Sequence, residues 1–355
     1  MDKTGDKMYI DNLKIQNFRN YEYQEINLEN KINIFYGDNA QGKTNIIESI
    51  FLSAFGKSFR TNKDKELIKK GEDFLKIQTH FQKKDRVGKV RIEISDKKNV
   101  FLNDVKLKKL SELLGNINLV IFTPDDINLL KSGPNLRRKF LDMMIGQLRP
   151  AYVLNLNLYL KTLEQRNNFL KQNVRNEEML EIWDEKLADY GTKVYFYRKE
   201  FLEKIKEKIV DIHSEITNEK IDIKYLSNCE SKEIFLNNLK KQRKIDYIKG
   251  YTNSGVHRDD FSIYINGEPV NIYGSQGQNR TAILSLKLAE LNVIYDEIQE
   301  YPILLLDDFM SELDEKRISN FLNNIKNIQV IITCTKNIEI NNSISYNIVK
   351  GKIIK

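Results

Sequence analysis

The sequence has few of the side chains that bind zinc. Its 355 residues include 2 cysteines and 3 histidines, and neither Cys229 nor Cys334 belongs to a C-x-x-C pair. A zinc site built from cysteine and histidine is therefore nearly excluded. We expect two reduced and partly buried thiols that behave as small apolar side chains.

Proline, glycine and long apolar runs are scarce as well. The 5 prolines and 16 glycines exclude a collagen-like chain or one dominated by linkers. No apolar run reaches the roughly 18 residues that span a bilayer, so no membrane partner is expected. The first residues, MDKTGDKMYIDNLKIQ, lack the apolar core of a signal peptide. This predicts a cytoplasmic protein.

The residues that are abundant suit a globular protein with a solvated surface. Hydrophobic residues make up 41% of the chain and charged residues 30%, which is enough apolar material for a core. The length suggests about two domains, or one elaborated domain.

Basic residues are distributed unevenly. The whole chain has a formal charge of +7, whereas residues 57–109 hold 17 Lys and Arg against 8 Asp and Glu, a local charge of +9. Such a region suits contact with a polyanion such as nucleic acid. A solvated, lysine-rich surface without a partner explains the same distribution.

Hydrophobic periodicity predicts strands and one helix in the first third of the chain. Residues 8–29 are typical of two strands and residues 31–36 of a third. Apolar residues recur at helical spacing over 46–54. Residues 75–107 alternate apolar and polar side chains between charged turns, which predicts an antiparallel meander.

The middle of the chain is predicted to be helical. Residues 126–215 are rich in Leu, Asn, Lys and Glu, with apolar residues three and four apart. An antiparallel hairpin or small bundle is expected. A hairpin of about 90 residues reaches only some 60–70 Å. This argues against a chromosome-spanning coiled coil.

The last third returns to alternating strands and helices. Continuous apolar runs at 303–306 and 330–334 are separated by helical patterns, which indicates a parallel sheet covered on both faces. We therefore expect an α/β fold in which a helical lobe interrupts one domain. The predicted lobes are residues 1–124, residues 125–216 and residues 217–355.

The strongest motif is a phosphate-binding loop. Residues 37–44 read GDNAQGKT, a full G-x-x-x-x-G-K-T between an apolar strand and an apolar-periodic helix. In such loops backbone N–H groups point at phosphate oxygens, the lysine lies near the β- and γ-phosphates, and the threonine hydroxyl ligates Mg²⁺. ATP and Mg²⁺ are therefore the expected cofactors. The residues predicted to bind them here are Gly37, Asp38, Asn39, Ala40, Gln41, Gly42, Lys43 and Thr44.

A pair of carboxylates follows a buried strand. Asp307 and Asp308 come directly after four apolar residues, at the sheet edge where ligands bind in open parallel sheets. Asp307 is predicted to hold Mg²⁺, and Asp308 to orient or deprotonate the attacking water. Taken alone, the pair also fits a helix N-cap and turn. A P-loop in the same chain favours the metal interpretation.

A third pattern lies 32 residues before Asp307. Residues 274–278 read GSQGQ at the start of a helical segment. They resemble the signature loop of ABC-type ATPases, which contacts a nucleotide held by the opposing subunit. Residues 311–314 read SELD and look like the D-loop of the same superfamily, with Asp314 as its acidic residue. The order of these motifs is more specific than any one of them.

These motifs identify a resemblance to the RecF family of bacterial recombination mediators, ATPases related to the heads of SMC proteins. The resemblance covers essentially the whole chain. It rests on LKIQNFRNY, GDNAQGKTN, GKSFRT, FTPDDINLLKSGPNLRRKFLD, SGVHRDDF, GSQGQNRT and LLLDDFMSELD. The fold that it implies is an ABC-type P-loop ATPase head with a mixed sheet and an inserted α-helical lobe.

The resemblance also implies roles for individual residues. Lys43 and Asp308 would be catalytic, with Asp308 where SMC-type heads carry a glutamate. Asn45 and Arg60 would join the nucleotide-binding set, although Arg60 also fits a surface cation on a basic loop. Thr44 and Asp307 would be the metal ligands. The signature acting in trans would consist of Ser275, Gln276, Gly277 and Gln278.

Two departures from the ABC pattern are visible. Residues 123–126 read TPDD where many ABC ATPases have a glutamine, and residues 333–336 read TCTK where a switch histidine is usual. Without that histidine, hydrolysis is expected to be slow. His257 is an alternative polar residue, for which a structural hydrogen bond is the favoured interpretation.

The resemblance implies an ATP-dependent homodimer that binds DNA as duplex, at gaps or at single-strand junctions. RecR and the RecO pathway would be its partners, and loading of recombinase at single-strand gaps its role. The alternative is a P-loop ATPase or ATP-binding scaffold of another class, without DNA function.

Overall fold

A computed structural model describes residues 7–172, 176–308 and 328–354. The chain forms two compact units, one of residues 1–126 with 290–355 and one of residues 127–289. Among the described residues, none of the helices combines the length and apolar character needed to cross a membrane.

The first unit contains an antiparallel sheet in the order β2-β1-β4-β5-β6-β7. In β4, every second residue is buried, from Leu75 to Phe81. This alternation places one face of the sheet on the core and the other in solvent. The strands are β1 (Tyr9–Phe18), β2 (Tyr21–Asn27), β4 (Leu75–Gln82), β5 (Val87–Ile94), β6 (Lys98–Leu102) and β7 (Val105–Lys106).

The second sheet of this unit is mixed, with the order β15-β14-β3-β13-β12-β8. Its central strands pair in parallel, and the antiparallel pair β14–β15 closes one edge. Strands β8, β12 and β13 are buried at every residue, as expected of a parallel sheet covered on both faces. The strands are β3 (Ile32–Tyr36), β8 (Leu119–Phe122), β12 (Ile303–Asp307), β13 (Val330–Cys334), β14 (Ser343–Val349) and β15 (Lys352–Ile354).

Helix α1 (Lys43–Phe55) follows β3 and lies almost entirely in the core of the first unit. It begins at Gly42 and ends at Gly56, and both glycines have positive φ. The left-handed conformation at Gly56 is the usual helix terminator. It turns the following residues back along the helix.

The second unit combines helices with a small antiparallel sheet in the order β11-β10-β9. Its longest helix has 40 residues, or roughly 60 Å at 1.5 Å per residue. The helices are α2 (Ile127–Lys131), α3 (Pro134–Leu148), α4 (Pro150–Leu170), α5 (Glu177–Ile216), α6 (Lys232–Lys249) and α7 (Val270–Tyr273), and the strands are β9 (Ile221–Leu226), β10 (Asp260–Ile265) and β11 (Glu268–Pro269). Helix α8 follows over Gln276–Ile298.

The α/β class with a mixed sheet is confirmed. Residues 217–289 belong to the compact unit that contains the long helices, whereas the sequence grouped them with the ATPase lobe. The division into lobes at residues 124 and 216 remains a proposal about function.

Candidate nucleotide site

The P-loop connects β3 to α1 and takes its shape from two glycines. Gly37 and Gly42 have φ values of 148° and 110°, which side chains other than glycine rarely adopt. A Cβ on Gly37 would lie 2.4 Å from the carbonyl oxygen of Ile348. The ammonium of Lys43 donates hydrogen bonds to the carbonyls of Gly37 (2.6 Å) and Asp38 (2.8 Å). The lysine therefore points into the loop, as a phosphate-binding lysine must.

Gln41 anchors the loop to two distant parts of the chain. Its carbonyl oxygen accepts hydrogen bonds from the Asn20 side chain (2.9 Å) and from the backbone N–H of Gly351 (3.1 Å). Its side-chain oxygen accepts one from the N–H of Lys350 (2.5 Å). Neither Asn20 nor this hairpin turn is predicted from the sequence, because no local pattern indicates a contact between positions 310 residues apart (351 − 41).

The predicted metal ligands lie together at the end of β12. The hydroxyl of Thr44 donates to Asp307 Oδ1 (2.8 Å), and the hydroxyl of Thr333 donates to the same oxygen (2.7 Å). Burial raises the pKa of the Asp307 carboxyl, and these two hydrogen bonds act in the opposite direction. A cation at this carboxylate would offset the cost of burying its charge.

The donor set fits Mg²⁺. A carboxylate and a hydroxyl are hard oxygen ligands, and Mg²⁺ is usually bound by one or two carboxylates together with substrate phosphates. Among residues 7–172, 176–308 and 328–354, no cluster of three or more His, Cys, Asp or Glu is arranged to hold a metal. Thr44 and Asp307 would therefore share the ion with phosphate oxygens.

Thr333 is the first residue of the TCTK segment, the region in which ABC ATPases usually have a switch histidine. Its hydroxyl accepts a hydrogen bond from the backbone N–H of Asp308 (3.0 Å), while it donates to Asp307. Asp308 has a φ of 51°, so this contact fixes a backbone conformation that is unusual for aspartate. Burial raises the pKa of the neighbouring Cys334 to about 11, which keeps that thiol protonated and unreactive.

The TPDD segment follows β8, the strand beside β12. The N–H of Thr123 donates to the Asp126 carboxylate (2.7 Å), which closes a short turn. A metal contact from this segment remains a prediction.

Arg60 lies beside the P-loop helix. Its Nη1 donates to Asn45 Oδ1 (2.9 Å) and to Glu48 Oε2 (3.2 Å). Asn45 is thereby linked to Arg60 on one side and to Asn20 on the other (2.7 Å). Glu48 is fully buried and was missed by the sequence analysis, although a glutamate inside an apolar helix is itself a signal.

The predicted signature forms the N-terminus of α8. The Ser275 hydroxyl accepts a hydrogen bond from the N–H of Gln278 (3.2 Å), and the Gln278 side chain accepts one from the N–H of Ser275 (2.9 Å). This reciprocal pair is a capping box. Ser275 and Gln276 are exposed, with Gly277 partly exposed beside them. The start of α8 is therefore presented to solvent, where an anion can reach it.

His257 is a structural residue. Its Nε2 lies 3.0 Å from the carbonyl oxygen of Thr252 and its Nδ1 lies 2.6 Å from the Tyr159 hydroxyl. Burial lowers the pKa of His257 to about 4, so the ring is neutral at physiological pH. The tautomer that satisfies both contacts carries its proton on Nε2.

Asp314 and the rest of the predicted D-loop lie outside the described residues.

Comparison with known proteins gives one consistent result. The family model described as RecF/RecN/SMC N terminal domain matches residues 9–351. The DNA replication and repair protein RecF of Clostridium perfringens (strain SM101 / Type A) is 45% identical over 336 residues, covering 92% of this chain and 93% of that protein. A solved structure of the recombination mediator protein RecF-ATP in the RecFOR pathway superposes with a TM-score of 0.95 at 37% identity, covering 100% of this chain and 99% of the other.

A more distant match concerns the fold alone. An Smc head bound to the C-winged helix domain of ScpA has a TM-score of 0.58 at 15% identity, covering 98% of this chain and 97% of the other.

Proposed function

Because this chain belongs to the RecF family, within the RecF/RecN/SMC group, we propose that it is an ATP-dependent DNA-binding protein of recombinational repair and replication. It is an ATPase of the ABC head type. The observation that carries the proposal is the contact between Thr44 of the P-loop and Asp307 of the acidic strand, which assembles a triphosphate site from residues 263 positions apart.

The residues of this site have distinct roles in hydrolysis. Lys43 and the loop N–H groups bind the phosphates. Thr44 and Asp307 would hold Mg²⁺, which would supply positive charge to the phosphate oxygens. Asp308 lies directly after β12, in a backbone conformation fixed by Thr333. It orients or deprotonates the attacking water. Because the TCTK segment contains no histidine, turnover is expected to be slow.

The functional form in this proposal is a homodimer assembled by ATP, in which the signature of one copy contacts the nucleotide of the other. Ser275 is exposed at the start of α8. Immediately before it, Ile272 and Tyr273 are 66% and 69% exposed. Two large apolar side chains next to a capped helix N-terminus suit an interface that forms only when nucleotide is present.

Ser275→Arg is expected to abolish dimerisation with ATP. The long cation occupies the space of the partner's phosphates and removes the capping hydroxyl, while the monomer remains folded. Sedimentation velocity with Mg²⁺ and ATP measures the loss directly. The matched control is Ser214→Arg, since Ser214 is exposed on α5. A Ser275→Arg protein that dimerises like wild type would exclude the signature from the interface.

The DNA-binding surface that we propose is a lysine cluster beside α1. Lys98 donates to the carbonyl of Gly56 (2.9 Å) and Leu110 packs against the same glycine, so the turn at 97 and the segment 106–109 lie near residue 57. Many lysines of this region are paired with carboxylates. Within residues 57–109, the exposed lysines for which the described part of the chain shows no carboxylate partner are Lys65, Lys70, Lys97, Lys106, Lys108 and Lys109.

Reversing three of these charges is expected to weaken DNA binding. The variant Lys97→Glu, Lys108→Glu and Lys109→Glu should lose about 100-fold in affinity for duplex DNA at low salt. Binding should also depend less on salt: the magnitude of the slope of log affinity against log salt concentration should decrease by about 3, because each phosphate contact contributes about 0.9. Fluorescence anisotropy with ATP, across a salt series, measures both quantities.

The control for this variant carries the same charge change elsewhere. Lys161→Glu, Lys186→Glu and Lys220→Glu alter exposed lysines of the second unit. If this protein loses as much affinity as the first variant, net charge alone explains the effect and the cluster is not the contact surface.

The finer parts of the proposal concern partners and place. RecR and the RecO pathway would act with this protein in loading recombinase at single-strand gaps, in the cytoplasm. Support for the pathway is the resemblance to a RecF structure described as part of RecFOR.

A further inference from the structure

The P-loop helix contains a buried carboxylate that is not among the residues assigned to phosphate or metal binding. Glu48 is 0% exposed. It lies four residues after Thr44, on the same face of α1. Burying a carboxylate is costly unless charged or hydrogen-bonding groups surround it. The partners of Glu48 therefore indicate what it does.

Two arginines contact Glu48 in different ways. Arg19 binds both carboxylate oxygens, through Nη2 (2.6 Å) and Nε (2.9 Å), the bidentate geometry of a strong ion pair. Arg60 contacts it through Nη1 alone (3.2 Å). Because Arg19 already neutralises the carboxylate, Arg60 keeps its positive charge available to another anion.

Part of the Arg60 guanidinium is open to solvent and to ligands. Its side chain is 44% exposed, and within the described part of the chain its Nε and Nη2 have no hydrogen bond or ion pair. Its Nη1 donates to Asn45 Oδ1 (2.9 Å), and Asn45 directly follows the predicted metal ligand Thr44. The guanidinium therefore lies at the P-loop end of α1.

Glu48 also holds the loop that carries Arg60. The Ser58 hydroxyl donates to Glu48 Oε1 (2.5 Å) and accepts hydrogen bonds from the N–H groups of Arg60 (2.9 Å) and Thr61 (3.2 Å). The carboxylate thus fixes both the backbone and the guanidinium of this arginine. Fixing both removes most of the conformational freedom that a long exposed side chain normally has.

We propose that Glu48 is a positioning residue: through Ser58 and Arg60 it directs the unpaired nitrogens of Arg60 at the terminal phosphate of bound ATP. This inference rests on the ATP site proposed above. A guanidinium in that position favours ATP over ADP, because ADP lacks the phosphate that it contacts.

A double-mutant cycle tests the proposal. Calorimetry gives the affinities of ADP and of a non-hydrolysable ATP analogue, with Mg²⁺, for wild type, Glu48→Gln, Arg60→Ala and the double variant. Each single variant is expected to reduce the ratio of ATP-analogue to ADP affinity about tenfold. In the double variant this affinity ratio is expected to fall no further than in either single variant, because Glu48 acts through Arg60.

A matched control uses a second glutamate of the same region. Glu66 accepts a hydrogen bond from Thr61 and is about half exposed, so Glu66→Gln removes one negative charge without a contact to Arg60. Its nucleotide preference should equal that of wild type.

Three outcomes would overturn the inference. The fall in the affinity ratio could be additive in the double variant, the affinities for the ATP analogue and for ADP could fall equally, or Glu66→Gln could lower the ratio as much as Glu48→Gln. If circular dichroism shows that Glu48→Gln is unfolded, Ser58→Ala replaces it in the cycle, with the same expected coupling to Arg60. A wild-type protein that binds neither nucleotide would instead refute the proposed ATP site.

Discussion

Replacing Lys43 by alanine is expected to abolish ATP hydrolysis, with a fall in kcat/KM of at least about 100-fold. The ammonium lies within 2.8 Å of the carbonyls of Gly37 and Asp38, which places it at the centre of the loop. Alanine removes the only side-chain cation of the P-loop and leaves both carbonyls without this donor. A coupled phosphate-release assay measures the effect.

Exposed lysines of the same unit should not behave in this way. Lys63 has a side chain that is 81% exposed and forms only a surface ion pair with Glu66. Lys63→Ala should hydrolyse ATP at the wild-type rate. A Lys43→Ala protein with near-normal turnover would show that another cation binds the phosphates, and the assignment of the loop would be wrong.

The largest effect on stability is expected from Arg166 in the second unit. Arg166 is fully buried and donates to Asp184, Asp246 and Thr252, each at 2.8 Å. Asp184 and Asp246 are buried as well. Without Arg166, Asp184 keeps its pair with Arg243 (2.8 Å), but the buried Asp246 loses its charged partner. Arg166→Ala should therefore lower the free energy of unfolding by about 3–5 kcal/mol.

Urea denaturation followed by tryptophan fluorescence measures this change. Trp183 is the single tryptophan of the chain and precedes Asp184 on α5, so it reports on the second unit. The control is Lys240→Ala, which breaks an exposed ion pair with Glu181 (3.1 Å) and should cost less than about 1 kcal/mol. Equal, small effects of the two substitutions would contradict a stabilising role for the buried network.

Local patterns predict much of this fold. Alternating apolar and polar residues predict the strands of the meander, and continuous apolar runs predict β12 and β13. The two patterns differ because a strand of the meander has one buried face, whereas β12 and β13 are buried on both faces. The P-loop was also predictable, since its glycines and lysine are adjacent in sequence. The meeting of Thr44 with Asp307 followed from the rule that ligands bind at the carboxyl edge of parallel strands.

Other features depend on contacts that no short window contains. Gln41 is held by Asn20 and by a hairpin turn from the other end of the chain. Glu48 is recognisable in the sequence as a glutamate inside an apolar helix, but its role depends on contacts with Arg19 and Ser58 that the sequence does not reveal. Strand patterns likewise do not reveal that β9, β10 and β11 belong to the same compact unit as the long helices.

The order of strands in the mixed sheet has a consequence for biosynthesis. Strand β3, which carries the P-loop, lies between β13 and β14, yet a ribosome releases β3 almost 300 residues earlier (330 − 36). Residues 127–289 are continuous in sequence and can begin to fold during translation. The nucleotide site, in contrast, forms only after the C-terminal strands have been synthesised, because β3 pairs with β13 and β14. A nascent or prematurely terminated polypeptide therefore cannot compete with the finished protein for nucleotide.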